Sequence, residues 1–140
     1  MEHVDSLDVW FDNALHGLRC DNDTRAYVAG VLAGFGTRAD GDLSNESIVL
    51  MYNDARVNGD FSRFQRIGDW VLWVSTLYPK HVAENITLVE TIGRLSYYSC
   101  HRILRREWKL YEELAEDLPR IARDARNELN AYRFSTDFTR

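Results

Sequence analysis

Apolar residues along this chain recur three and four positions apart, the interval that stacks side chains on one face of an α-helix. From about Ser6 to Leu18 the stripe is Leu7, Trp10, Phe11, Ala14, Leu15 and Leu18, with Ser6 placed as the capping hydroxyl. The polar run Cys20-Asp21-Asn22-Asp23 supplies capping oxygens to a second helix, whose stripe is Tyr27, Val28, Val31, Leu32 and Phe35. Gly36 to Asp42 reads as the end of that helix and the loop after it. Ser44 to Ser47 cap a third helix that turns Ile48, Met51, Tyr52 and Ala55 inward. It closes at Asn58-Gly59, a pair suited to the left-handed geometry of a helix end.

A fourth helix starts near Asp60 with Phe61, Phe64 and Ile67, then enters the densest apolar stretch, Trp70-Val71-Leu72-Trp73-Val74. That stretch is apolar on nearly every side of a helical wheel, so it is expected to be the central, surrounded helix, spanning about 61–78. A buried strand is the rival reading, and it fails for want of a second strand to pair with. Pro79 disfavours helical geometry at Tyr78 and ends the helix at the Leu77-Tyr78-Pro79 corner. After a short piece around His81 to Asn85, Thr87-Leu88-Val89-Glu90 has capping-box spacing and predicts a fifth helix to about Leu104. The last helix has the cleanest period, Leu110, Tyr111, Leu114, Leu118, Ile121, Ala122, Ala125 and Leu129, with Pro119 expected to kink or break it. The sequence therefore predicts an all-α bundle of about six helices: one domain over 1–129, followed by a polar tail over 130–140.

Composition narrows the function classes. At 140 residues the chain fits one domain, and 45% apolar with 28% charged residues is ordinary for a globular protein. A net charge of −5 repels polyanions at long range, which disfavours non-specific contact with nucleic acid or an anionic membrane. No apolar run approaches the roughly 18 residues that span a bilayer, and the acidic amino end does not look like a secretory signal. An intracellular, cytoplasmic protein is expected. Cys20 and Cys100, far apart and in no C-x-x-C pair, are expected as reduced thiols.

Few residues suggest chemistry. Ala26, Ala29, Gly30, Ala33 and Gly34 form a small-residue surface that fits close helix packing, since a phosphate cradle would need a strand before it. His3, His16, His81 and His101 are scattered without ligand spacing, so no metal and no cofactor are expected. Asp69 stands out, because an unpaired carboxylate inside an apolar helix costs several kcal/mol. It is expected to be a structural buried carboxylate paired with Arg66, Arg94 or Arg102; the functional alternative is an acid or base in an interhelical cleft. No companion nucleophile or second carboxylate accompanies it, and no catalytic residue is assigned.

The densest anomaly is the basic and aromatic segment holding Arg94, Tyr97, Tyr98, His101, Arg102, Arg105, Arg106, Trp108 and Lys109. Such interleaving serves stacking and phosphate contact, or a protein interface. Glu112, Glu113, Glu116 and Asp117 follow directly, so ion pairing such as Lys109–Glu113 explains the same pattern.

Arg66-Ile67-Gly68-Asp69-Trp70-Val71-Leu72-Trp73, then Leu77-Tyr78-Pro79, then Ile92-Gly93-Arg94-Leu95-Ser96-Tyr97-Tyr98, resemble a group of small, helical, uncharacterised bacterial proteins. These carry a Gly-Asp in an apolar helix, an aromatic-Pro corner and a Gly-x-x-Ser/Ala-Tyr stretch. The resemblance runs from Tyr27 through Glu128. It implies that Asp69, Pro79 and Tyr97 belong to the structural skeleton, and it brings no activity with it.

With no catalytic constellation, an aromatic-basic face and a polar tail, the expected function is non-enzymatic: a helical protein–protein interaction or assembly subunit, such as a phage virion or head–tail component. A protein partner or homo-oligomer is the expected company. The alternatives are a small enzyme using Asp69 and a nucleic-acid contact through the 94–109 face.

Overall fold

In a computed structural model the chain is described over residues 2–35, 43–104 and 109–138. Six α-helices follow one another: α1 (Glu2–Ala14), α2 (Asn22–Phe35), α3 (Asn45–Asn58), α4 (Phe61–Leu77), α5 (Ile86–Ile103) and α6 (Leu110–Phe138). Two single 3-10 turns, Pro79–His81 and Ala83–Asn85, link α4 to α5. No strand occurs among the described residues. The all-α bundle expected from the periodicity is the architecture observed.

The expected central helix is central. α4 packs against α2, α3, α5 and α6, and Phe64, Ile67, Trp70, Val71, Leu72 and Val74 are buried along it. Around them sit Leu15, Val28, Leu32, Ile48, Val89, Tyr97, Leu114, Leu118 and Ile121, each essentially inaccessible to water. Burying such side chains contributes roughly 1.5–3 kcal/mol apiece, which makes this shared core the main source of stability.

Helix ends follow local chemistry, with some departures from expectation. At α3 the Ser44 hydroxyl accepts from the Ser47 amide at 3.1 Å while the Ser44 amide donates to Ser47 Oγ at 2.7 Å, a complete capping box. Gly59 closes the same helix at φ 60°, where a side chain would be strained. Asp60 caps α4 by accepting from the Arg63 amide, and Tyr78 leaves helical geometry before Pro79 as expected. The box expected at Thr87 and Glu90 does not form. α5 begins earlier, at Ile86 with Asn85 at its cap position, so Thr87 stands inside the first turn and not at the helix boundary, where a capping residue sits.

α1 also begins earlier than the Ser6 boundary and ends at Ala14, before His16-Gly17, while Leu15 and Leu18 still reach the core from the following turn. α6 continues through Pro119 and past Leu129 to Phe138, so the stretch after 129 extends a helix instead of leaving it. Tyr132 shows why the helix remains useful there: its ring meets Trp10 edge-on at 5.4 Å and ties α6 to α1. The loop expected over Gly36 to Asp42 lies outside the described residues.

Glycines divide into two kinds. A methyl group at Gly93 would come within 2.6 Å of Val71 Cγ1 and 2.8 Å of Leu118 Cδ2, so the bare backbone there lets α5 settle between α4 and α6. At Gly30 and Gly34 an added methyl meets nothing within 4 Å among the described residues. Of the small-residue surface on α2, Ala29 and Ala33 are buried, whereas Ala26 and Gly30 face outward. The expectation that this surface as a whole serves close packing therefore holds for Ala29 and Ala33 but not for Ala26 or the two glycines, which border an open cleft. Gly93→Ala is expected to lower stability by about 1–3 kcal/mol through overpacking. Gly30→Ala is expected to raise it by roughly 0.5–1 kcal/mol, because only helix propensity changes. Urea unfolding of the two variants checks the opposite signs.

Candidate functional site: a tyrosine-ringed carboxylate and the outer face of α5

Asp69, on α4, is half-buried, and two phenols reach it. Tyr27 Oη, from α2, donates to Asp69 Oδ1 at 2.6 Å, and Tyr97 Oη, from α5, donates to the same oxygen at 2.8 Å. Tyr111, from α6, approaches Tyr27 Oη at 3.5 Å and accepts from Gln65 Nε2 at 2.7 Å. The three rings pack against one another with centroids 5.6–6.4 Å apart, and Phe61 meets Tyr111 edge-on. Four helices thus converge on one carboxylate. Charge-assisted hydrogen bonds of this kind are roughly twice as strong as neutral ones, which compensates for the burial of Asp69.

Gly68 makes this geometry possible. A methyl group there would lie 2.7–2.8 Å from three ring carbons of Tyr97, so the ring rests directly on the α4 backbone with its hydroxyl at Asp69. The Gly-Asp pair and the Gly-x-x-Ser-Tyr stretch are therefore two halves of one contact. Of the arginines expected as partners of Asp69, Arg94 is committed elsewhere and Arg102 is exposed on α5. Arg66 lines the same cleft as the carboxylate.

That cleft, about 590 Å³, lies between α2 and α4 and is bordered by Tyr27, Gly30, Gly34, Ser62, Gln65, Arg66 and Asp69. No His, Cys, Lys or second carboxylate lines it among the described residues; Tyr27 is the phenol that reaches Asp69 there, and Arg66 is the cation of the lining. No group of three or more His, Cys, Asp or Glu gathers as metal ligands among the described residues. Both thiols are free. Burial first, then Glu113, pushes Cys20 up to about 11, and burial pushes Cys100 well above the ordinary thiol range, so both are protonated at neutral pH.

The segment 94–109 does not act as one face. Tyr97 and His101 point into the core, the latter with Nε2 3.6 Å from Glu112. Arg94 Nε donates to the carbonyl of Ala115 at 2.8 Å. That carbonyl is the one Pro119 orphans four residues later, because proline has no amide hydrogen to return. Tyr98, Arg102 and Lys109 remain exposed, while Arg105, Arg106 and Trp108 lie outside the described residues. The expected Lys109–Glu113 ion pair is not formed, since the Glu113 carboxylate accepts from the Asp21 amide and helps cap α2.

A different set of residues shares the outer face of α5. Leu88, Leu95 and Tyr98 are 48%, 42% and 50% exposed, and Thr91 and Arg102 lie on the same side. Leu88 was read only within the capping-box spacing, and Leu95 only within the segment that carries the resemblance. Their spacing of three and four on the opposite face was the available signal. Beside them a cleft of about 330 Å³ runs between α5 and α6, lined by Thr91, Arg94, Leu95, Tyr98, Ala115 and Glu116.

Two measurements follow. Burial, joined by the negative charge of Asp69, holds Tyr27 and Tyr97 above the ordinary phenol value, and burial raises Tyr111. An unfolded phenol ionises near pH 10, so the stabilisation is complete below about pH 10 and is lost as pH rises above it. Phenolate absorbance of the folded protein should therefore show Tyr27 and Tyr97, two of its seven tyrosines, titrating only with alkaline unfolding, and Tyr27→Phe should cost about 1.5–3 kcal/mol at neutral pH. In a double-mutant cycle, Arg94→Ala should cost about 1 kcal/mol more beside Pro119 than beside Pro119→Ala, where the carbonyl regains its backbone donor.

Comparison with protein-family models, curated proteins and solved structures gives no match to this chain.

Proposed function

We propose that this chain is a non-enzymatic helical interaction module that docks a protein partner on the outer face of α5. The observation that carries the reading is the row Leu88, Leu95 and Tyr98, three large apolar side chains each about half exposed on one helix face. Isolated apolar residues on a surface are ordinary, whereas a row along one helix beside a groove is the arrangement into which a partner helix packs. Arg94 and Glu116 at the groove edge supply the polar rim such contacts carry. An assembly subunit, a virion or head–tail component among them, is a setting in which such a face is covered by its neighbours.

An enzyme built on Asp69 draws support from the carboxylate's place in the cleft wall. It has less behind it, because Oδ1 already accepts two phenol hydrogens and, among the described residues, no His, Cys, Lys or second carboxylate lines the cleft. A nucleic-acid contact is weaker still: of its described residues, Tyr97 and His101 are buried and Arg94 is spent on Ala115. Among the described residues no helix is long and apolar enough to cross a membrane.

A photoreactive residue in place of Leu95, expressed in the native cell, should yield a discrete protein adduct that Tyr98→Glu abolishes. The same group in place of Asn53, exposed on α3, should yield none. Equal labelling from both positions, or no adduct from either, overturns the reading.

A further inference from the structure

The outer face of α5 has a symmetry that identifies its occupant. Glu84, Leu88, Thr91, Leu95, Tyr98 and Arg102 are all exposed and follow one another at spacings of four, three, four, three and four. From Leu88 to Arg102 that is the a/d alternation of a coiled-coil seam, about 21 Å long at helical rise and reaching almost to the helix end. Glu84 stands just before it, in the 3-10 turn that leads into α5.

The six positions are also arranged symmetrically about their midpoint, close to Gly93. Laid antiparallel against a copy of itself around a two-fold axis at that point, the seam sets Glu84 against Arg102, Leu88 against Tyr98 and Thr91 against Leu95, and each pairing occurs twice. Apolar therefore meets apolar and acid meets base throughout, with the small Thr91 opposite Leu95 at the centre. Neither Glu84 nor Arg102 forms an ion pair within the described residues, so both charges are available to a partner. A two-fold contact must use one patch that is complementary to itself, and a patch acidic at one end, basic at the other and apolar between meets that condition.

We infer that the partner on this face is a second copy of the chain, joined through an antiparallel α5–α5 seam in the register just given. The inference rests on the docking role proposed for α5 and names its occupant. The contact is one helix wide and so smaller than a standard interface of about 1,600 Å². A dissociation constant on the order of 10–100 μM is expected.

Sedimentation equilibrium of the full chain tests the association, and charge exchange tests the register. Wild-type protein should pass from monomer to dimer across that concentration range, whereas Leu95→Glu with Tyr98→Glu should remain monomeric at unchanged helix content. Glu84→Arg alone should weaken the dimer about tenfold, and adding Arg102→Glu should restore it. In a Cys20→Ser background, a Thr91→Cys chain mixed with a Leu95→Cys chain should form a mixed disulfide on oxidation. Leu88→Cys, about 15 Å from its own symmetry mate by helical rise, should not cross-link to itself.

Wild-type protein that stays monomeric, or a dimer that charge exchange does not rescue, overturns the inference. If the Leu95 photoadduct then contains a different protein, the docking role stands without the self-pairing. If there is neither dimer nor adduct, both fall.

Discussion

Tyr97 lies flat on the backbone of α4 because residue 68 has no side chain, and from there its hydroxyl reaches the carboxylate one residue further along. The contact fixes the approach of α5 to α4, the two helices at the centre of the bundle, and positions the oxygen that Tyr27 also needs. Without the glycine the ring would be lifted away. Without the ring, Asp69 would sit in an apolar helix with one phenol fewer to offset its charge. Tyr111 then carries the network to α6 and Gln65 returns it to α4, so helices distant in sequence are held in register by directional bonds as well as by apolar burial.

The arginines have a related use. Arg94 meets the carbonyl opposite Pro119, Arg126 donates to the carbonyls of Ser75 and Thr76 at the carboxyl end of α4, and Arg120 reaches the carbonyl of Arg19 while pairing with Asp117 and Asp124. Each donates to a backbone carbonyl, and at the carboxyl end of α4 the positive charge of Arg126 also suits the negative end of the helix. Several of the cations in this acidic chain therefore serve as internal fittings, which leaves fewer of them to meet a polyanion.

Much of this was legible in the order of residues. The inward stripes placed the helices, Asn58-Gly59 and the Tyr78-Pro79 corner placed two of their ends, and Trp70 to Val74 marked the centre. Asp69 was recognisable as a carboxylate in need of partners, but those partners were sought among arginines. Tyrosine is counted as an apolar stripe member by its ring while its hydroxyl reports nothing about periodicity, so Tyr27 and Tyr111 passed as packing alone. The capping box at Thr87 failed for a similar reason: the spacing was right, but the preceding 3-10 turn already led the backbone into α5 at Ile86. The row on the outer face of α5 was missed because that helix was placed by its expected cap and not by a stripe, so neither of its apolar faces was traced.

Pro119 gives the longest helix a dependence that its own sequence cannot satisfy. The missing hydrogen bond at Ala115 is supplied by a side chain from α5, so α6 is complete only once the two helices have docked. Local winding and tertiary assembly are thereby coupled at that point, since this carbonyl has its side-chain donor only when α5 is in place.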